Sequence, residues 1–237
     1  MKMRIKQLWD SAVDVLLPRT CSVCHRALDG DERYLCRRCL AALPRTHFEE
    51  IEFNPFEQAM MAGPRIERAA SYFYYDRGGA YASILHDIKY RGMPALGRWI
   101  AARAAREMRG SGFFDGIEAL VPVPMHRHKE IDRGYNQSRV IAEGLADELH
   151  IDVVDALVAT RGHSTQTRKS VQERLDNMRD LFALDPDRET LVAGRHVLLV
   201  DDVVTTGATL LACATVLTTV PGVTLSAFTL ASARLQS

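Results

Sequence analysis

The sequence predicts an α/β domain with a mostly parallel sheet flanked by helices, preceded by a small four-cysteine module, and three observations carry that expectation. From residue 71 onward, short β-branched and aromatic runs alternate with stretches of helical periodicity, the pattern of strands joined by crossover helices. Near the N-terminus, two Cys-x-x-Cys pairs stand eleven residues apart. Finally, the apolar run His196-Val197-Leu198-Leu199-Val200 ends on Asp201-Asp202 and then on Thr205-Thr206-Gly207-Ala208-Thr209. That order puts acids, hydroxyls and small residues at the strand end where open α/β sheets bind ligands.

Composition sets the bounds. A chain of 237 residues, 47% hydrophobic and 25% charged, accommodates one medium domain with a small appendage and buries a real core, which excludes disorder as the default. Lys+Arg and Asp+Glu are equal at 30 each, so no overall field argues for nucleic acid or membrane. The first 45 residues nevertheless hold nine basic and five acidic side chains, a basic head that suits an anionic partner. No 18-residue apolar run is present, so no membrane span is predicted, and the expected compartment is the cytoplasm.

The elements follow in order. Ile5, Leu8, Trp9, Ala12, Val13 and Leu16 recur at three- and four-residue spacing and predict an amphipathic helix over residues 1–17, ending before Pro18. Its polar face is of mixed sign, so its apolar stripe is expected to cover its own protein rather than a membrane. Residues 18–45 carry the cysteines. Residues 46–70, with Pro55, Gly63 and Pro64 and little periodicity, read as a loosely packed connector. The domain over 71–237 then predicts strands near 70–75, 119–123, 152–158, 196–200 and 223–230, and helices near 80–90, 95–108, 136–149 and 209–219. There is no internal repeat.

Cys21, Cys24, Cys36 and Cys39 form two knuckles able to present four thiolates to one tetrahedral zinc ion. Asp29-Gly30-Asp31 supplies a turn between them, as in a zinc ribbon. Redox pairs or disulfides are the alternative, disfavoured without a secretion signal. Four cysteine ligands leave no open coordination position, so the metal is expected to be structural, and so small a segment needs such a staple. His25, beside the second ligand, is expected at the surface, and Cys213, on an apolar helix face, reads as a core thiol.

The segment 197–209 suits a phosphorylated sugar. Gly207 and Ala208 let a phosphate approach backbone N–H groups at a positive helix end, and three Thr hydroxyls add donors. Asp201 and Asp202 repel phosphate but accept hydrogen bonds from vicinal sugar hydroxyls. Asp and Thr merely capping a helix is the bland alternative. No Gly-Lys-Ser/Thr loop and no Gly-x-Gly-x-x-Gly is present.

The whole of 197–209 resembles the phosphoribosyl pyrophosphate (PRPP) motif of type I phosphoribosyltransferases. Val121-Pro122-Val123-Pro124-Met125-His126, Arg133-Gly134-Tyr135-Asn136-Gln137-Ser138 and Ile88-Lys89-Tyr90-Arg91-Gly92 are similar to motifs of the ComF family, in which a four-cysteine ribbon precedes this domain. The resemblance implies a PRPP site at Asp201, Asp202, Val203, Val204, Thr205, Thr206, Gly207, Ala208 and Thr209, with Mg2+ bound alongside PRPP. It implies pyrophosphate-facing roles for Lys89, Arg127 and Arg133, and a hood over 161–182 that carries Thr165, Gln166, Arg174 and Asn177. It also implies partners in the processing of transforming DNA, namely DNA itself, a helicase-like ATPase and single-strand DNA processing proteins, while related members are linked to gluconate metabolism. Two functions stay open: an enzyme transferring phosphoribose to an unidentified acceptor, and a non-enzymatic phosphosugar-binding accessory factor. For nucleic acid, the ribbon is basic but offers only Tyr34 between its knuckles as a stacking ring.

Overall fold

The structure, a computed structural model, describes residues 19–160 and 181–234. The helix expected over 1–17 and the hood residues Thr165, Gln166, Arg174 and Asn177 lie outside the described residues.

The ribbon begins with an antiparallel bridge between Thr20 and Ala27 and ends in helix α1 (Arg37–Ala41), whose N-cap is Cys36. Gly30 takes a positive φ in the expected turn. Buried Glu32 organises this small unit: it accepts from the backbone N–H groups of Asp29 and Arg37, and both of its carboxylate oxygens accept from the Arg26 guanidinium. The ribbon is docked on the larger domain. Tyr34 packs on Trp99 with ring centroids 5.6 Å apart, and the Tyr81 hydroxyl donates to the Cys39 carbonyl at 3.0 Å.

Residues 46–70 differ from the loose connector the sequence predicts. Asn54 caps helix α2 (Pro55–Met60) in a full capping box with Glu57, and its Nδ2 donates to the carbonyls of Phe48, Ile51 and Ala69. Phe48, Phe56 and Met60 are buried. The prolines and glycine that suggested irregularity delimit a short, firmly seated helix instead.

Strand β1 (Ala69–Tyr75), helices α3 (Ala82–Tyr90) and α4 (Pro94–Met108) and strand β2 (Ala119–Pro122) lead to a polar helix α5 (Arg127–Arg133) and to α6 (Gln137–Leu149). A two-stranded antiparallel ladder of β3 (Leu157–Ala159) and β4 (Phe182–Leu184) follows, then β5 (His196–Val204), α7 (Ala208–Leu217) and β6 (Thr224–Ala233). The main sheet is four-stranded and all parallel, in the order β1-β6-β5-β2.

Burial explains the composition of the central strands. Residues 197–200 of β5 are wholly buried, as expected of a parallel strand covered on both faces. Strand β6 carries buried polar groups, and they are paired: Ser226 with the His196 ring at 2.9 Å, Thr229 with Ser71 at 2.6 Å. Helices α4 and α6 pack closely because position 144 is glycine. A Cβ there would collide with the Arg98 carbonyl and crowd Ala101.

Three local expectations change. The strand expected near 152–158 reduces to a single bridge of Val153 with Leu120, followed by β3, which pairs antiparallel. The stretch after Pro124 forms helix α5. Strand β5 runs on to Val204, so Asp201 and Asp202 belong to the strand, paired with β6 at Asp201 opposite Thr229. Among the described residues no helix is long and apolar enough to cross a membrane.

Candidate functional site

The C-terminal end of β5 is fixed by its neighbours before any ligand arrives. Asn136 caps α6 by accepting from the Ser138 N–H at 3.0 Å, and its Nδ2 donates to the Val123 carbonyl at 3.0 Å. This rivets the start of α6 to the end of β2 and sets buried Ser138 against β5. The Ser138 hydroxyl then donates to Asp201 Oδ1 at 2.7 Å, and the Asp202 N–H donates to the same oxygen at 2.8 Å. Asp202 pairs instead with Lys89, Nζ to Oδ2 2.8 Å. The Lys89 end of α3 is held in turn by the Tyr135 hydroxyl, which donates to the Ile88 carbonyl.

Electrostatics follow from this burial. Removal from water raises the Asp201 carboxyl to about 7, and the neighbouring Asp202 charge adds to the effect, against partial relief from the Ser138 and Asp202 hydrogen bonds and Lys89. The site thus holds one carboxylate neutralised by a lysine and one carboxyl that shares its proton near neutrality. Cys213 lies buried as expected, its thiol pushed well up by the same desolvation.

A cavity of about 210 Å³ opens over these acids. Lys89, Arg133, Asp201, Asp202 and Thr209 line it, so the structure brings together these sequence-predicted residues. Arg133 is poised by Gln137, 2.7 Å away, and lies over the Tyr90 ring at 5.1 Å. Arg127 is not among them. It opens α5 and faces a separate groove with Glu130 and Asp155, because a helix rather than a loop follows Pro124. Arg174 lies outside the described residues. Ser138, His126 and Lys129 also line the site; the first two stand inside motifs already noted, whereas nothing in the sequence singles out Lys129.

Beside the acids, Val203, Val204, Thr205, Thr206, Gly207, Ala208 and Thr209 wrap a hollow of about 30 Å³. Gly207 is the N-cap of α7 with φ +77°, and no side chain caps the helix there. The first N–H groups of α7 are therefore left for an anion. The positive φ is what calls for glycine at this position; a Cβ there would be tight against Met60 Sδ at 3.3 Å and in ordinary contact with the Ala59 carbonyl at 3.6 Å. Helix α2 is thus the back wall of the loop.

The four cysteines converge as expected. Their Sγ atoms all lie within 4.8 Å of one another, with Cys24 and Cys36 at 3.7 Å. A tetrahedron with metal–sulfur bonds of about 2.3 Å has edges of about 3.8 Å, so the cluster fits a zinc-sized ion. Backbone N–H groups of Cys36 and Cys39 donate to Cys21 and Cys36 sulfurs, which favours thiolates. Burial raises the Cys36 thiol, yet hydrogen bonds from Cys39, Arg26 and Cys24 outweigh it and bring it to about 6. His25 stays outside the cluster.

Residues 136–232 match the phosphoribosyl transferase domain family. The chain is 31% identical over 194 residues to the DNA utilization protein YhgH of Escherichia coli K12, covering 80% of this chain and 79% of that protein. It is also 36% identical over 94 residues to competence protein F of Haemophilus influenzae, 39% of this chain and 41% of that one. Competence protein ComFC of Bacillus subtilis is 31% identical over 91 residues, 38% of this chain and 34% of that one. With a phosphoribosyltransferase-type domain behind a clustered four-cysteine module, and relatives of this kind across most of its length, the chain belongs to the ComF family.

Proposed function

We propose that this protein binds PRPP together with Mg2+ and transfers its phosphoribosyl group to an acceptor. The observation that carries this reading is the pairing of two features on one strand end: an uncapped phosphate-sized hollow at 203–209 and, beside it, an acidic pair held by Ser138 and Lys89. The 5-phosphate sits in the hollow on backbone N–H groups and Thr hydroxyls, and the ribose hydroxyls donate to Asp201 and Asp202. Ribose binding favours the ionised form of Asp201, because a sugar hydroxyl supplies the hydrogen bonds that burial withholds.

In the transfer step the bond from C1 to the pyrophosphate oxygen breaks, the electron pair leaves with pyrophosphate, and the positive charge that builds on the ring is discharged as the acceptor's lone pair bonds to C1 and the acceptor's proton passes to solvent. Lys89 and Arg133 line the cavity and on this reading neutralise the leaving group, with Lys129 as a further cation. Asp201 and Asp202 are the carboxylates that would hold a Mg2+ ion brought with PRPP, which would add to the neutralisation of the leaving group. Lys89 has first to exchange Asp202 for phosphate oxygens.

The ribbon, on the same reading, holds a structural zinc ion through Cys21, Cys24, Cys36 and Cys39. Its compartment is the cytoplasm, where thiols stay reduced. The names of the relatives tie those proteins to DNA utilization and competence, and we extend that setting to this chain, with DNA as the context in which the phosphoribosyl chemistry is used.

Calorimetry with PRPP and Mg2+ tests the core of the proposal. Wild type is expected to bind, and Asp201→Asn/Asp202→Asn to bind at least about tenfold more weakly. Equal affinity in the two overturns the assignment of the acidic pair. Pyrophosphate release with a panel of amine and base acceptors tests the transfer. PRPP binding without any release makes the protein a phosphosugar-binding accessory factor.

A further inference from the structure

The Lys89 ammonium stands 2.8 Å from Asp202 Oδ2, with the lysine side chain 20% exposed and the aspartate side chain 12%, and Asp202 is its one ion-pair partner among the described residues. A pair so far withdrawn from water resists the removal of one member, because the group left behind stays desolvated without compensation. As the site stands, an oxygen that a ribose hydroxyl would use is already taken.

The lysine also borders a second space. It lines the acidic cavity of about 210 Å³ and an adjoining hollow of about 520 Å³, and Lys129 and Arg133 do the same. Asp201 and Asp202 line only the first, and Asp132 is the one carboxylate of the second. An anion placed between the two spaces therefore meets three cations. The backbone around Lys89 is held, since the Tyr135 hydroxyl donates to the Ile88 carbonyl and the Arg91 N–H to that of Asp87. Leaving Asp202 for such an anion is thus a swing of one flexible side chain about a fixed helix end.

We propose that the Lys89–Asp202 pair is a gate that makes the sugar site selective for a pyrophosphorylated ligand, an inference that rests on the phosphoribosyl reading of the site. Ribose 5-phosphate reaches Asp202 only by displacing the ammonium, and it brings no second anion to receive it. A ligand with pyrophosphate on C1 sets that anion against Lys89, Lys129 and Arg133. Lys89 then exchanges one counter-charge for another, and Asp202 is released to the ribose hydroxyls. The two halves of the ligand help each other to bind, although both are anionic and would otherwise repel. Linkage requires the help to be mutual, each half raising the affinity of the other by the same factor.

Calorimetry on the full chain at fixed Mg2+ tests this with ribose 5-phosphate and inorganic pyrophosphate as the two halves. Saturating pyrophosphate is expected to tighten ribose 5-phosphate by at least about fivefold in wild type. A smaller gain, or a loss, overturns the gate, and this measurement needs no variant. Lys89→Met keeps the length of the side chain and removes its charge. It is expected to abolish the gain, to hold ribose 5-phosphate at least as tightly as wild type does without pyrophosphate, and to weaken PRPP by at least about tenfold. Weakening of ribose 5-phosphate and PRPP together, in a variant whose melting curve matches wild type, overturns the gate as well, because it makes Lys89 an ordinary ligand contact. If wild type binds neither sugar phosphate, the phosphoribosyl reading itself falls, and the gate with it.

Discussion

The ribbon and the sheet are held together by different forces. In the sheet, strands β5 and β6 bury residue after residue, and the hydrophobic effect does most of the stabilising. Between residues 19 and 43 the buried side chains are few, three of them the cysteines Cys21, Cys36 and Cys39, and the remaining order comes from Glu32 gathering backbone donors and Arg26. The lesson is that one part of the molecule stores its stability in area and the other in a few specific bonds, so the two should fail under different insults.

Removing the zinc ion proposed for the four cysteines gives the largest expected effect. Structural zinc sites supply apparent binding energies of about 10–16 kcal/mol in small domains. A strong chelator, or Cys36→Ser, is expected to unfold residues 19–43 while the four-stranded sheet keeps its slow hydrogen exchange. Parallel loss of protection in β5 and β6 would mean that the ribbon and the sheet are one cooperative unit.

The converse insult is Phe56→Ala, at a wholly buried side chain of α2. A cost of about 3–5 kcal/mol is expected in urea denaturation, with zinc content unchanged. A loss under 1 kcal/mol would show that the connector packs as loosely as its composition suggests.

Burial also makes the sheet pH-sensitive at Asp201. Asp201 holds its proton to about pH 7 in the fold against 3.8 ordinarily, so across that window the native state binds a proton that the unfolded chain has released. Stability of the ligand-free protein therefore falls as pH rises from about 4 to about 7, by up to about 1.4 kcal/mol per unit at the steepest. Asp201→Asn flattens that slope in thermal or urea melts taken across the range. An unchanged slope would move the proton elsewhere.

The smallest change is Gly144→Ala. Overpacking α4 against α6 is expected to cost about 1–3 kcal/mol, without effect on the thiol cluster.

What the sequence disclosed depended on how local the cause was. Strand β5 and its loop were legible because apolar run, acids and small residues are contiguous, and the thiol cluster because two knuckles each fold over four residues. Helix α5 was not, since none of its residues is buried and no apolar period marks it; His126 and Gly134 at its ends are its only signals. Asn54-Pro55-Phe56-Glu57 did announce a helix start, a cap followed by proline and a reciprocal acid, and the neighbouring prolines obscured it. The Ser138–Asp201 bond joins residues 63 apart, and the pairing of β3 with β4 likewise depends on a distant segment, so neither has a local signature.

The nearness of Met60 to the space beside Gly207 bears on how such a domain is inherited. Residues 136–232 contain the whole phosphate loop but only β5 and β6 of the four-stranded sheet, and the wall behind the loop comes from residue 60. A gene fusion that carried the matched segment alone would transmit the signature without the floor it rests on. The upstream region is therefore more than an adaptor: its short helix stands directly behind the loop, where a side chain at position 207 would point.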